Sequence, residues 1–124
     1  MSQAPKGSIG WVDLTVENAE EVRDFYQQVV GWDYDAVHMG DYSDFNMMPR
    51  GTETPIAGIC HSRGGNAEMP ASWMLYITVP DMAEAVEKVT KLGGEVLVGP
   101  KGEKALFCVI RDPAGAVCAL FQDA

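Results

Sequence analysis

Few residues of this 124-residue chain are of types that do chemistry, and several are spaced against it. Cys60, Cys108 and Cys118 are an odd number of thiols with no Cys-x-x-Cys pair, each inside an apolar, strand-like run. That pattern predicts buried, reduced cysteines, not a metal or redox centre. His38 and His61 each end a strand-like run, and Cys60 and His61 are neighbours, so in a strand they point to opposite faces. They read as hydrogen-bonding histidines, not as joint metal ligands. Phosphate loops and the Gly-x-Ser-x-Gly nucleophile elbow are absent; Gly64-Gly65 and Gly93-Gly94 read as turns. The seven methionines, Met47-Met48 adjacent among them, read as space-filling residues.

What remains is a small polar set. Asp13 alternates with Trp11 and Thr15 on the less aliphatic face of the first strand. Burial beside an indole would favour its protonated form and suit it to general acid–base work; the alternative is a carboxylate that only supports its neighbours. Tyr76 is a candidate donor to a ligand carbonyl or to Asp13. Asp44 shares a face with Tyr42 and Asn46, opposite Ser43, Phe45 and Met47, and alternation alone leaves the inward face open. Arg111 follows Phe107 and Val109 at the end of a strand, either facing inward or at the rim. An inward guanidinium would anchor an anion.

These residues need a scaffold, and the chain repeats one at an offset of 63 residues. Thr15-Val16 aligns with Thr78-Val79, Asn18 with Asp81, Glu21 with Glu84 and Gly31 with Gly94. Asn18 and Asp81 are N-cap candidates with a Glu three residues on, the capping-box spacing. Val22, Tyr26 and Val29 then match Ala85, Val89 and Leu92 at i, i+4 and i+7, one stripe of an amphipathic helix widened by Phe25 and Val86. Gly31 and Gly94 are expected to end the helices in left-handed conformations. Strands are expected at 8–16, 32–38, 42–48 and 55–61, and again at 73–79, 95–98, 105–111 and 116–122. Turn residues such as Gly99-Pro100 and Asp112-Pro113-Ala114-Gly115 separate them. The result is an α+β fold: two βαβββ modules, 8–61 and 72–122, joined by a linker at 62–71 in one domain. A curved mixed sheet is expected around a cleft.

Asp and Glu total 18 against 9 Lys and Arg, a formal charge of −9, and 47% of residues are hydrophobic. Such a chain is globular, and its acidity argues against nucleic acid and against anionic membrane surfaces. No apolar run approaches the length of a spanning helix, and the start lacks a signal peptide's apolar stretch, so a cytoplasmic protein is expected.

The residues Asp13-Leu14-Thr15-Val16, Val22-x-x-Phe25-Tyr26, Val30-Gly31-Trp32, Leu92-Gly93-Gly94 and Arg111-Asp112-Pro113-Ala114-Gly115 carry a resemblance across the whole chain. The chain resembles the vicinal-oxygen-chelate superfamily of glyoxalase I, bleomycin- and fosfomycin-resistance proteins and extradiol dioxygenases. With its Ala119-Leu120-Phe121-Gln122 end it looks most like the predicted enzymes related to lactoylglutathione lyase. The resemblance implies a glyoxalase-like fold and, in metal-dependent members, four strand positions that hold one divalent ion through His, Glu or Gln. Here those positions fall on Trp11, Met74, Ala119 and, within a residue or two, Gly58. None is a hard or borderline ligand, so no cofactor is expected.

Two main readings of function follow. One is a glyoxalase-related enzyme, lyase or isomerase, acting on a small organic molecule with Asp13 and Tyr76 as catalytic groups. Trp11, Met74, Gly58, Ala119, Asp44, Phe107 and Arg111 would line its site. The other is a binder that sequesters its ligand as bleomycin-resistance proteins do; in either case Trp11, Trp73, Tyr76, Phe107 and Met74 would supply an apolar, aromatic pocket. A structural module with a filled cleft is the third reading. The resemblance also implies a homodimer.

Overall fold

The computed structural model describes residues 5–63 and 69–124, so the middle of the expected linker, with Gly64-Gly65, lies outside the described residues. The elements run β1 (Ile9–Val16), α1 (Ala19–Val30), β2 (Asp33–His38), β3 (Ser43–Met48), β4 (Ala57–His61), β5 (Met74–Thr78), α2 (Met82–Lys91), β6 (Glu95–Lys101), β7 (Leu106–Arg111) and β8 (Val117–Gln122). The order βαβββ therefore occurs twice. The expected strands recur within a few residues. β6 runs on through Gly99 and Pro100, which were expected as a turn; two register shifts against β7 absorb them.

The chain divides into two compact units, Val12–Trp73 and the stretch up to Trp11 with Met74–Ala124. In the first, the strands lie in the order β2-β3-β4-β1. β1 and β4 are parallel, and β2-β3-β4 form an antiparallel meander. Helix α1 covers one face. Ala19, Phe45, Met47, Ala57 and Ile59 are buried there, with Val12, Val16, Val22, Tyr26, Trp32, Tyr34 and Trp73 packed around them. A fully buried aliphatic side chain contributes about 1.5–3 kcal/mol, so Met47 and Ile59 are central to this unit.

Two expectations change here. The inward stripe of α1 runs through Ala19, Val22 and Tyr26, whereas Phe25 and Val29 are exposed. Trp73 belongs to this helix-side core and not to an aromatic ligand pocket. Its Nε1–H donates to the Tyr26 hydroxyl at 3.0 Å, and its ring meets Tyr26 and Trp32 edge to face. The residue lies just ahead of β5, and its indole N–H finds in Tyr26 the partner that a half-buried Trp needs.

The second unit repeats the plan as β5-β8-β7-β6, with β5 and β8 parallel. Gly7 donates its N–H to the Thr78 carbonyl, and Thr78 donates to Ser8. Helix α2 packs Met82, Ala85, Val86 and Val89 on Ile77, Cys108, Ile110 and Leu120. All three cysteines are free thiols, and Cys108 is fully buried. Among the described residues no helix is long and apolar enough to cross a membrane.

Capping divides between the two helices. Asp81 accepts from the Glu84 N–H at 3.1 Å as expected. Asn18 makes no side-chain cap bond; its amide donates instead to Glu21 Oε1 at 3.0 Å. The helix ends differ too. Gly31 is left-handed, with φ 77°, but in the second unit that role falls to Gly93, with φ 95°. Gly94 is needed for a different reason. A Cβ there would lie 2.9 Å from the Arg111 carbonyl oxygen and 3.0 Å from Val89 Cγ1. Backbone oxygen cannot step aside, so Gly94→Ala is expected to cost about 2 kcal/mol, read as a lower denaturation midpoint at unchanged m-value.

Candidate functional site

With Phe45, Met47, Ala57 and Ile59 given to the helix side, alternation assigns the opposite face of the first unit. The strand 42–48, left open by sequence, therefore turns Asp44 and Asn46 to the face of Asp13 and Thr15. Register brings these residues side by side. Asp13 lies across from Gly58 and Thr15 across from Cys60, and Asn46 flanks Gly58 on its other side. Glycine leaves the sheet beside Asp13 without a β4 side chain. At the end of β1, Thr15 borders an open recess of about 360 Å³ shared with Glu17, Asn18, Ser62 and Met69.

The Cys60 thiol shows how closely the acids gather. Its pKa is pushed up from 9.0 to about 12, first by burial, then by the charges of Asp13 and Asp44 and by a hydrogen bond to Asp44. Two carboxylates therefore act on one thiol. Cys60 is a proton-bearing donor here and not a nucleophile.

Asp44 has a second set of partners. The β3–β4 ladder has its last pair at Phe45 and Ile59. Beyond it Asp44 Oδ1 takes the place of a backbone acceptor, receiving the His61 N–H at 2.8 Å and lying 3.3 Å from His61 Nδ1. The other ring nitrogen, Nε2, is 3.0 Å from Glu20 Oε1 in the first turn of α1. That hydrogen bond, helped by a backbone N–H, holds the Glu20 carboxyl below its ordinary pKa. His61 is 8% exposed and framed edge-on by Tyr42 at 5.4 Å. The reading of His61 as a hydrogen-bonding residue agrees with this geometry, but Glu20 was missed. The available signal was the β3–β4 hairpin: its register brings residue 44 beside 60 and 61, where the β1–α1 turn also arrives.

The remaining predicted residues lie on β1 and in the second unit. Trp11 is half-buried on β1, two residues before Asp13. Met74 is buried, Tyr76 half-buried and Ala119 fully buried, with Tyr76 directly across from Ala119. Asp13–Gly58 is the matching pair in the first unit. Of the four positions expected from the resemblance, Gly58 and Ala119 are equivalent by register, across from Asp13 and Tyr76, and none of the four carries imidazole or carboxylate. They present an indole, a thioether, a methyl group and a hydrogen, which do not fit a divalent ion that takes imidazole and carboxylate. Among the described residues no three His, Cys, Asp or Glu side chains are grouped to hold a metal ion. Phe107 lies across from Phe121. Arg111 sits at the end of β7 with its guanidinium 2.7 Å from Glu95, a partly exposed pair that already occupies the charge expected to bind an anion.

Comparison with known proteins agrees with this geometry. The glyoxalase-like domain family matches residues 11–121. A Mycobacterium tuberculosis protein named "Putative glyoxylase CFP32" is 31% identical over 98% of this chain; the chain spans 48% of that relative's length. Among solved structures, a glyoxalase/bleomycin resistance protein/dioxygenase superfamily member from Vibrio splendidus aligns with a TM-score of 0.60 at 11% identity, over 90% of this chain and 96% of its own. Methylmalonyl-CoA epimerase from Mycobacterium tuberculosis aligns with a TM-score of 0.55 at 14% identity, over 99% of this chain and 93% of its own. The fold is that of the vicinal-oxygen-chelate superfamily, and the chain belongs to the glyoxalase-like domain family.

Proposed function

We propose that this chain is one glyoxalase-like domain that binds a small organic carbonyl compound on the Asp13 face of its first unit and moves a proton on it without a metal ion. The carrying observation is the pair of carboxylates, Asp13 and Asp44, acting on the Cys60 thiol beside the bare backbone of Gly58. Asp13 is the general base, Asn46 and Thr15 orient the ligand, and the recess at Thr15 admits it. The CFP32 relative's name, a glyoxylase, supports a small carbonyl substrate.

A panel of 2-oxoacids, hemithioacetals and acyl thioesters, read by thermal shift and by NMR for turnover, tests this. With a compound that is turned over, Asp13→Asn is expected to lower kcat by about 100-fold or more while KM moves little. Loss of affinity in place of kcat would show a binder instead. One equivalent of tightly bound divalent metal after dialysis would overturn the metal-free chemistry.

A further inference from the structure

We propose that Glu20, His61 and Asp44 form a proton path from solvent to the Asp13 face, with His61 as the positioning residue that links the two carboxylates. The proposal deepens the function above and rests on that face being the functional one. Its geometry is a line of three groups of falling exposure. The Glu20 side chain is 59% exposed, that of His61 10% and that of Asp44 12%. Each step is within hydrogen-bond reach, at 3.0 and 3.3 Å. The far end, Asp44, touches the thiol that also feels Asp13.

Both imidazole nitrogens face carboxylate oxygens, which suits a ring that passes a proton through. With Nε2–H donating to Glu20, a proton arriving on Asp44 Oδ1 moves to the bare Nδ1 as the Nε2–H bond breaks and Glu20 passes that proton to water, so one N–H forms, one breaks and the ring's charge is unchanged. The reverse transfer restores the ring, which matches a reaction that removes a proton from its substrate and returns one. Asp44 Oδ1 is pinned by the backbone N–H of the residue whose ring it serves, so the acceptor cannot drift from the path. Aromatic walls shield the ring: Tyr42 edge-on at 5.4 Å and Phe45 at 6.2 Å.

Other charged groups face the same region. Arg23 of α1 lies over Tyr34 and Phe45 at 4.4 and 4.6 Å, is paired with Asp24, and adds its field at Glu20. Arg63 lies over Tyr42 at 4.1 Å, 3.6 Å from Asp41. From His61's own strand comes Cys60, hydrogen-bonded to Asp44, and from β1 comes Asp13, whose charge acts on that same thiol.

The test is a ¹³C and ¹⁵N NMR titration of the full chain, following the His61 ring, the Asp44 carboxyl carbon and Cys60 Cβ. In the wild type all three are expected to step at one shared midpoint. Glu20→Gln, a change at an exposed side chain, is expected to move that shared step down by half a pH unit or more, since the ring loses an anionic partner. His61→Gln is expected to abolish the step at Asp44 and Cys60. Independent midpoints in the wild type, or a step at Asp44 and Cys60 that survives His61→Gln, would overturn the path. Should His61→Gln fail to fold, Glu20→Gln decides alone, and an unmoved step overturns the proposal. These titrations need no substrate, so failure of the path and failure of the carbonyl-compound reading appear in different experiments.

Discussion

Asp44→Ala is expected to cost about 3 kcal/mol of folding stability, more than any other single change at the polar face. The carboxylate receives the His61 backbone N–H at 2.8 Å, lies 3.3 Å from the ring and holds the Cys60 thiol. Alanine leaves all three without that partner in a region where His61 is 8% exposed. A buried donor stripped of its acceptor costs about 1–3 kcal/mol, and here the backbone N–H and the Cys60 thiol lose theirs together. Asp44→Asn keeps an oxygen for the backbone N–H and should cost about 1 kcal/mol. It also removes one of the charges that raise the Cys60 thiol, so thiolate absorbance should develop at lower pH. Chemical denaturation at constant m-value measures the first effect. An alanine variant within 1 kcal/mol of wild type would show that water replaces the carboxylate freely.

Much of the scaffold is legible in the sequence because it rests on local rules. Alternation marks the helix-side face through Val12 and Val16 on the first core and Ile77 and Val79 on the second, though Leu75 is exposed, and Asp81 caps α2 as its spacing predicts. The 63-residue offset relates Asp13 on β1 to Tyr76 on β5, and register pairs them with Gly58 and Ala119 at equivalent places in the two units. Errors arise where two local solutions compete. Asn18 could cap or pair with Glu21, and it pairs. Two adjacent glycines follow α2, and the first takes the positive φ while the second accommodates a close backbone approach. Phe25 fits the helical stripe by spacing, yet the small Ala19 faces the sheet where α1 comes close, and Phe25 is turned outward.

The polar site is less legible because a ladder's end creates it. Asp44 reads as one member of an alternating face, and only where pairing stops after Phe45–Ile59 can its carboxylate substitute for a backbone carbonyl. Glu20 is a first-turn helix acid, favourable there on dipole grounds alone, and nothing in its spacing links it to a histidine 41 residues away. That Trp11, Gly58, Met74 and Ala119 carry neither imidazole nor carboxylate, by contrast, is legible directly. Fold and site are separate questions in this chain: the two βαβββ units carry the fold, and the proposed chemistry rests on Asp13, which lies two residues beyond Trp11.

Between pH 9 and 12 the domain is expected to lose about 2 kcal/mol of stability through Cys60 alone. The folded state holds this thiol's proton up to about pH 12, whereas an unfolded chain releases it near its ordinary 9.0. Below pH 9 both states are protonated and the thiol contributes no pH dependence. Above it the unfolded state binds fewer protons, so the unfolding free energy falls as pH rises, by at most about 1.4 kcal/mol per pH unit. Water reaches the half-exposed thiol and screens it, which reduces the three-unit limit to the figure given. Burial raises Cys108 and Cys118 as well, so they slope the same way, and Cys118 also feels Asp112. Cys60→Ala isolates the largest share: its stability should fall less steeply from pH 9 upward, while curves for the two proteins run parallel between pH 6 and 8. Asp13→Asn should flatten the wild-type slope in part, because Asp13 is the first charge acting on this thiol. Equal slopes for wild type and Cys60→Ala would mean that Asp13 and Asp44 do not converge on Cys60, and the carboxylate pair would lose its main physical support.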